Sequence, residues 1–479
     1  MRHWSTVLIL LSTLTVGGAA QQPVYDLVIA GGRVMDPESG LDAVRFIGLT
    51  HTTVAAISSQ PLRGRDTIDA RGLVVAPGFI DLHAHGQDPV SSRLQVRDGV
   101  TTAMELEGGV LEADRWYRNR TGRSVINFGA TASHVGARRA VMRDSTPTGP
   151  AWERRAATSE EIAGIQARLR EELDAGALGI GLGIQYTPGA RREEILAVFE
   201  LAAERGVTGF VHDRFASMTE PGSGIEAVQE LIADAAITGA SVHLVHVGSS
   251  GLGLVPTILH MIEGARLHGI DISTEVYPYT AASTGIQTAI FDPGWRERFG
   301  VDYDAIEWVA TGERLTAETF ARHRAEGGMV IAHVIPAAMV DLAVAHPLVM
   351  IASDGTSFAS GRAHPRGAGT FARVLGRYVR ERGTLTLMEA LRKMSLMPAR
   401  RLENAVPAMR TRGRIAPGAS ADLTIFDPTE VIDRATFAEP AQPSAGILHV
   451  IVGGVPVVRN GALTGATPGI GIRRPTTIP

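Results

Sequence analysis

From about residue 78 to residue 402, strand-like runs alternate with helical ones, and this alternation leaves few folds open. "SEEIAGIQARLREELDAG" has helical periodicity and leads into the apolar run "ALGIGLG". "REEILAVFELAAERG" leads in the same way into "VTGFVHDR". Repeated strand–helix units cover both faces of a parallel sheet, and at this length they suit a closed (β/α)8 barrel. Both chain ends read differently. "YDLVIAGGRVMDP", "TTVAAISS" and "DTIDARGLVVAPG" upstream, and "GRIAPGASADLTIFDP" and "HVIVGGVPVVRNGALT" downstream, set β-branched residues between Gly, Pro and Asp punctuation. The expectation is an α/β chain: a TIM barrel over 78–402, with residues 21–77 and 403–479 pairing into one small β-sandwich beside it. The polar stretch 290–328 reads as a helical insertion over the barrel mouth. The Pro-rich tail "TPGIGIRRPTTIP" reads as surface.

The first twenty residues stand apart. Arg2 and His3 precede an apolar run from Val7 to Val16, then the small residues Gly17 to Ala20. This is the layout of a secretory signal peptide cleaved after Ala20, and it predicts a periplasmic or secreted protein. The run is short for a membrane span, so no membrane association is expected after cleavage. The chain holds no cysteine, which excludes disulfides and thiolate metal ligands. A formal net charge of −4 over 479 residues offers no electrostatic case for nucleic acid.

The chemistry concentrates at the ends of apolar runs. In "APGFIDLHAHG", His83 and His85 are two apart, so on a strand they face the same way. Gly86 follows, which sets the pair at a strand's C-terminal end, where barrel active sites lie. His212 ends "VTGFVHDR", His246 ends "SVHLVHVG", and Asp354 ends "LVMIASDG". Any one of these is ordinarily a satisfied core histidine or a loop aspartate. Four imidazoles and a carboxylate at successive strand ends are instead a ligand set for a divalent metal.

The order His-x-His, His, His, Asp between split β-rich ends resembles the amidohydrolase superfamily. "GALGIGLGIQYTPGA", "EVYPYTAASTG", "HPRGAGTFARVLGRYVRERG" and "GRIAPGASADLTIFDP" narrow the resemblance to deacylases of the D-aminoacylase and N-acyl-D-glutamate deacylase type. Such enzymes carry a metal-binding cysteine soon after "GVTT"; here the text is "GVTTAMELEGGV". Other members of the superfamily bridge two metals with a carboxylated lysine. The one lysine, Lys393, lies in a helical pattern beyond Asp354 and cannot serve. The replacement is a carboxylate or nothing. Glu107 is preferred over Glu105 because it lies nearer the strand's end, and a mononuclear site with one of the glutamates as a supporting partner stays open.

The resemblance implies one or two divalent ions, zinc by ligand type, and hydrolysis of the amide of a small N-acyl-D-amino acid by metal-bound hydroxide. Asp354 is then both ligand and general acid/base. His134, Tyr186, Tyr277, Ser283 and Arg366 are implied as substrate contacts, with Arg366 pairing the α-carboxylate. The family often has a lysine where this chain has Gly248. Arg214, two residues after His212, is expected to supply the missing charge and to favour acidic side chains. Two alternatives stay open: hydrolysis of another linear amide, and a catalytically inactive barrel acting as a binding protein. The sequence leaves oligomeric state open.

Overall fold

A computed structural model describes residues 23–146 and 149–475. The predicted signal peptide lies outside the described residues. Eight strands run parallel in chain order: β1 (Phe79–Asp81), β2 (Val100–Val110), β3 (Asn127–Ser133), β4 (Ile180–Gly183), β5 (Thr208–His212), β6 (Ser241–Leu244), β7 (Ile272–Val276) and β8 (Val349–Ile351). Each pairs with the next. Just past β1 and β8 the ring closes: Ala84 bridges Gly355 in parallel, and Gly86 N donates to Gly355 O at 2.9 Å. The result is the expected TIM barrel. Its strands are short, apolar and buried, as strands covered on both faces must be.

The helices outside the ring carry their own start signals. Thr158 with Glu161, and Ser223 with Glu226, form reciprocal capping boxes at the starts of Ser159–Asp174 and Gly224–Thr238. Glycine permits one close approach that matters below. A Cβ on Gly181 of β4 would meet Glu107 O at 2.4 Å, so only glycine lets β4 lie against this part of β2.

The chain ends join as predicted. Val74–Pro77 pairs antiparallel with Leu423–Phe426, linking five N-terminal strands and four C-terminal ones into a nine-stranded sheet. The long strand Val24–Asp36 shifts register between Ile29 and Gly32. Before the shift it pairs with Arg63–Asp69, and after it with Val74–Val75. Leu27, Ile47, Val54, Leu423, Ile425 and Ile451 belong to a core separate from the barrel's.

Two expectations need correction. The stretch 290–328 is not simply helical. Ile306–Trp308 and Glu313–Arg314 are strands, and they join Ala282–Gly285 and Met329–Ala332 in a four-stranded antiparallel sheet. Ile306 and Trp308 are the apolar residues of a short alternating run, and Gly312 (φ 80°) lets the hairpin turn, so strand pairing prevails over the helical composition around it. The tail is not wholly surface. Ile472 is buried and its N–H donates to Phe128 O at 2.7 Å, because an isolated isoleucine gains more against β3 than in water. Among the described residues no helix is long and apolar enough to cross a membrane.

Candidate active site

Six side chains from five strands converge at the C-terminal end of the barrel. The backbone aims them there at a cost. His246 (φ 35°) and Asp354 (φ 49°) adopt the left-handed conformation that side-chain-bearing residues avoid, one just past β6 and the other just past β8. Strain of this kind persists where surrounding contacts fix it, and it clusters at functional sites. β2 contributes through a large bulge. Glu105 pairs with Ala130 and Val110 with Ala132, so five residues on β2 span the space of two on β3. Glu107 sits in that bulge, which re-aims its side chain.

The Glu107 carboxylate lies between two histidine pairs. Oε2 is 3.0 Å from His85 Nε2 and 3.3 Å from His83 Nε2. Oε1 is 2.7 Å from His212 Nδ1 and 3.6 Å from His246 Nε2. Asp354 Oδ1 stands 3.4 Å from His83 Nε2 and 3.5 Å from His85 Nε2. His83, His85 and Glu107 form one group whose ligand atoms lie within 4.8 Å of one another; Glu107, His212 and His246 form a second. Both groups combine imidazole nitrogens with a carboxylate oxygen, the donor set of a divalent metal centre, and they share Glu107.

The outward-facing nitrogens support the same reading. His83 Nδ1 donates to Glu275 Oε1 at 2.7 Å, and His85 Nδ1 to Glu105 at 2.9 Å. His212 Nε2 donates to Gln185 Oε1 at 2.9 Å, and Ser250 Oγ lies 3.3 Å from His246 Nδ1. Each imidazole thus has its far nitrogen engaged and its near nitrogen aimed inward, the pattern that orients metal-ligating histidines. Electrostatics follow the geometry. Burial pushes Glu107 up, but the surrounding imidazoles outweigh it and hold the carboxyl well below its ordinary range. Burial pulls His85 down, but Glu105 and Glu107 outweigh it and raise this imidazole to about 10. His246 is lowered, chiefly by burial.

Glu275, Gln185 and Ser250 were not anticipated. Glu275 stood within a motif already singled out, "EVYPYTAASTG", but nothing local marks it as the partner of a histidine 192 positions away. Glu105, the alternative ligand, pairs with His85 at the rim of the cluster.

A cavity of about 630 Å³ opens on the cluster. Tyr186 and Ser283 line it; the Tyr186 hydroxyl lies 3.1 Å from Thr284 Oγ1, and Ser283 Oγ has no partner among the described residues. Ile290, Phe291, Phe299 and Val309 from the insertion add an apolar wall. Arg366 and Tyr277 are buried beside the cluster: Arg366 Nη2 is 2.9 Å from Asp354 Oδ2, its guanidinium covers the Tyr277 ring at 4.3 Å, and the guanidinium nitrogens and the Tyr277 hydroxyl have no hydrogen-bond partner among the described residues. His134 is fully buried, with Nε2 2.8 Å from Glu194 Oε1, because Glu194 satisfies both it and Arg138. Arg214 binds Glu230 (Nε to Oε2, 2.7 Å) and Ala190 O, and faces a separate cavity. A nearby carboxylate and a carbonyl hold this arginine more firmly than an open pocket could.

Known proteins share this architecture. A family model described as the amidohydrolase family matches residues 66–134 and 118–458. An N-acyl-D-glutamate deacylase of Alcaligenes xylosoxydans xylosoxydans is 32% identical, the alignment covering 91% of this chain and 94% of that protein. The crystal structure of N-acyl-D-glutamate deacylase from Bordetella bronchiseptica, complexed with zinc and a phosphonate mimic of the tetrahedral intermediate, is 29% identical with a TM-score of 0.80. It covers 94% of this chain and 100% of its own. A D-aminoacylase structure with a binuclear metal centre is 27% identical with a TM-score of 0.79, over 94% of this chain and 100% of that one. Likeness along almost the whole chain, on a barrel with this cluster at its mouth, makes the protein a member of the amidohydrolase family, hydrolases of carbon–nitrogen bonds other than peptide bonds.

Proposed function

We propose that the protein is an N-acyl-D-amino-acid deacylase that works with one or two divalent ions, zinc first among them. The observation that carries this reading is the position of Glu107, with one oxygen toward His83 and His85 and the other toward His212 and His246. The relatives named above support the substrate class. His83, His85 and Glu107 Oε2 would hold one ion; Glu107 Oε1, His212 and His246 would hold the other. A bound ion supplies two things: it lowers the pKa of a bound water to about 7, and it polarises the amide carbonyl.

The chain's own groups do the rest. Asp354 takes a proton at Oδ1 from the attacking water and returns it to the leaving amine nitrogen. Arg366 holds Oδ2, which keeps Oδ1 turned toward the imidazoles. Tyr186 and Ser283 donate hydroxyl hydrogens to substrate oxygens. Arg214 is committed to Glu230, so a preference for an acidic side chain rests on the likeness to N-acyl-D-glutamate deacylases rather than on this residue. The leader-like first twenty residues support export to the periplasm or beyond.

Asp354→Asn tests the reading. Turnover of N-acetyl-D-amino acids should fall by at least about a thousandfold, within the range ascribed to general acid–base groups and their positioning. Metal content should stay near that of the parent protein. Full activity in this variant, or hydrolysis of N-acetyl-L-amino acids alone, would overturn the proposal.

A further inference from the structure

One buried histidine stands outside the metal cluster and touches a residue that supports it. His243 on β6 is fully buried. Its Nε2 lies 3.4 Å from Glu275 Oε2, and neither atom has a hydrogen-bond partner of its own among the described residues. Its Nδ1 lies 2.8 Å from Ser273 Oγ. Ser273 and Glu275 are two apart on β7 and share a face, as Ser241 and His243 do on β6. That face is the barrel's interior, because Glu275 reaches His83 just past β1, a strand that does not neighbour β7.

This polar column continues to the far end of the barrel. Arg401, in the helix Met397–Leu402, donates from Nη1 to Ser273 Oγ at 3.2 Å. It also pairs with Asp271 (Nη2 to Oδ2, 2.6 Å) and donates to Thr208 Oγ1 and Ser241 Oγ. Thr208 and Ser241 open β5 and β6, and Asp271 precedes β7, so Arg401 stands at the N-terminal end of the strands, opposite the cluster. A guanidinium only donates, and it keeps its charge. That sets the direction of every link above it. Ser273 Oγ accepts from Arg401 and gives its own hydrogen to His243 Nδ1. Burial lowers His243 below its ordinary value, so near neutral pH the ring carries one proton. With Nδ1 accepting, that proton sits on Nε2, toward Glu275. Glu275 Oε1 then accepts from His83 Nδ1 at 2.7 Å, and His83 Nε2 is left for the cluster.

We propose that Arg401 is a remote positioning residue for the metal centre: through Ser273, His243 and Glu275 it fixes which nitrogen of His83 keeps its proton and which faces the ion. This rests on the reading of His83 as a metal ligand. Asp271 is exposed, so the column joins the metal centre to the opposite face of the barrel. Ser273, His243 and Glu275 are all buried, where hydrogen bonds in series strengthen one another.

Heteronuclear NMR of the zinc-loaded protein, isotope-labelled at histidine, reads the ring protons directly. Near neutral pH, His243 should carry its proton on Nε2 and none on Nδ1. In Arg401→Met, Ser273 Oγ is free to accept, so His243 Nδ1 should gain a proton. Zinc affinity, measured by chelator competition, should fall about tenfold, the low end of the cost of losing an outer partner of a metal-ligating histidine. Arg401→Lys still donates to Ser273 and should restore most of both. Ser273→Ala severs the column and leaves the Arg401–Asp271 pair in place, so it decides the matter if Arg401→Met does not fold: zinc affinity should drop by a similar factor. A role confined to stability would lower Tm but leave the His243 ring and the zinc affinity of the folded protein unchanged, and that result would overturn the proposal. So would a parent protein with the His243 proton on Nδ1. The His83 signals keep two failures apart. If zinc leaves them unshifted, the metal reading fails; the column stands if His243 Nδ1 still gains a proton in Arg401→Met, and falls if it does not.

Discussion

His83 and Glu275 form a buried pair at 2.7 Å, with both side chains about 1% exposed. Burial alone would push the Glu275 carboxyl up, but the charges and hydrogen bonds of His83 and His243 hold it below its ordinary range. Glu275 therefore stays an acceptor and keeps His83 Nε2 facing the cluster. Glu275→Gln removes the charge with little change in shape. We expect zinc affinity, measured by chelator competition, to fall about 10- to 100-fold. Unchanged affinity would mean that Glu275 does not orient the ligand.

Metal uptake should depend on pH in a defined direction. A protonated imidazole cannot bind a cation, and His85 holds its proton up to about 10 because Glu105 and Glu107 outweigh burial. Metal must displace that proton, so affinity should tighten steadily from pH 6 to pH 9, by up to about tenfold per unit for each proton released. Calorimetry in buffers of different ionisation enthalpy reads the release directly. Glu105→Gln, which removes one source of the shift, should flatten the dependence. A flat profile in the parent protein would contradict this account.

Asp98 links stability to pH away from the site. It accepts from Phe371 N at 2.8 Å, Ala372 N at 3.0 Å and Ser444 Oγ at 2.6 Å, and burial pushes it up to about 8. A carboxyl raised in the fold binds its proton more tightly there than in the unfolded chain. Its contribution is therefore complete below about pH 4 and is lost as pH rises toward 8, at up to about 1.4 kcal/mol per unit. Asp98→Asn should show a shallower fall in Tm across that window. Parallel curves for the two proteins would rule the assignment out.

The site and the fold were legible to different depths. His83, His85, His212, His246 and Asp354 could be found because each ends an apolar run, and barrel topology carries strand ends to one rim. Glu107 could be favoured over Glu105 from its place on the strand, although the bulge that aims it leaves no mark in the residue pattern. Partners across long separations were not legible. Glu194 takes His134 and Glu230 takes Arg214, and both glutamates sit on helices whose periodicity reveals the buried face but not which cation it meets. The strand Ile306–Trp308 escaped for a related reason: three residues are too few to declare a period, and its pairing with Met329–Ala332 decides its state.

Gly181 should be intolerant of a side chain. Gly181→Ala would bring a Cβ to 2.4 Å from Glu107 O and 2.6 Å from Leu106 O, both backbone atoms. Strand β4 and the bulge must then separate. We expect about 1–3 kcal/mol of destabilisation by denaturant unfolding, together with weaker zinc binding. A variant as stable as the parent, with zinc bound as tightly, would show that the bulge is not held by this contact.

The most direct measurement is anomalous diffraction at the zinc edge from crystals saturated with zinc. Two peaks should flank the Glu107 carboxylate, one about 2.0–2.2 Å from Oε2 beside His83 and His85, the other at similar distance from Oε1 beside His212 and His246. Zinc bound elsewhere, with Glu107 turned away and these four imidazoles free, would contradict the account.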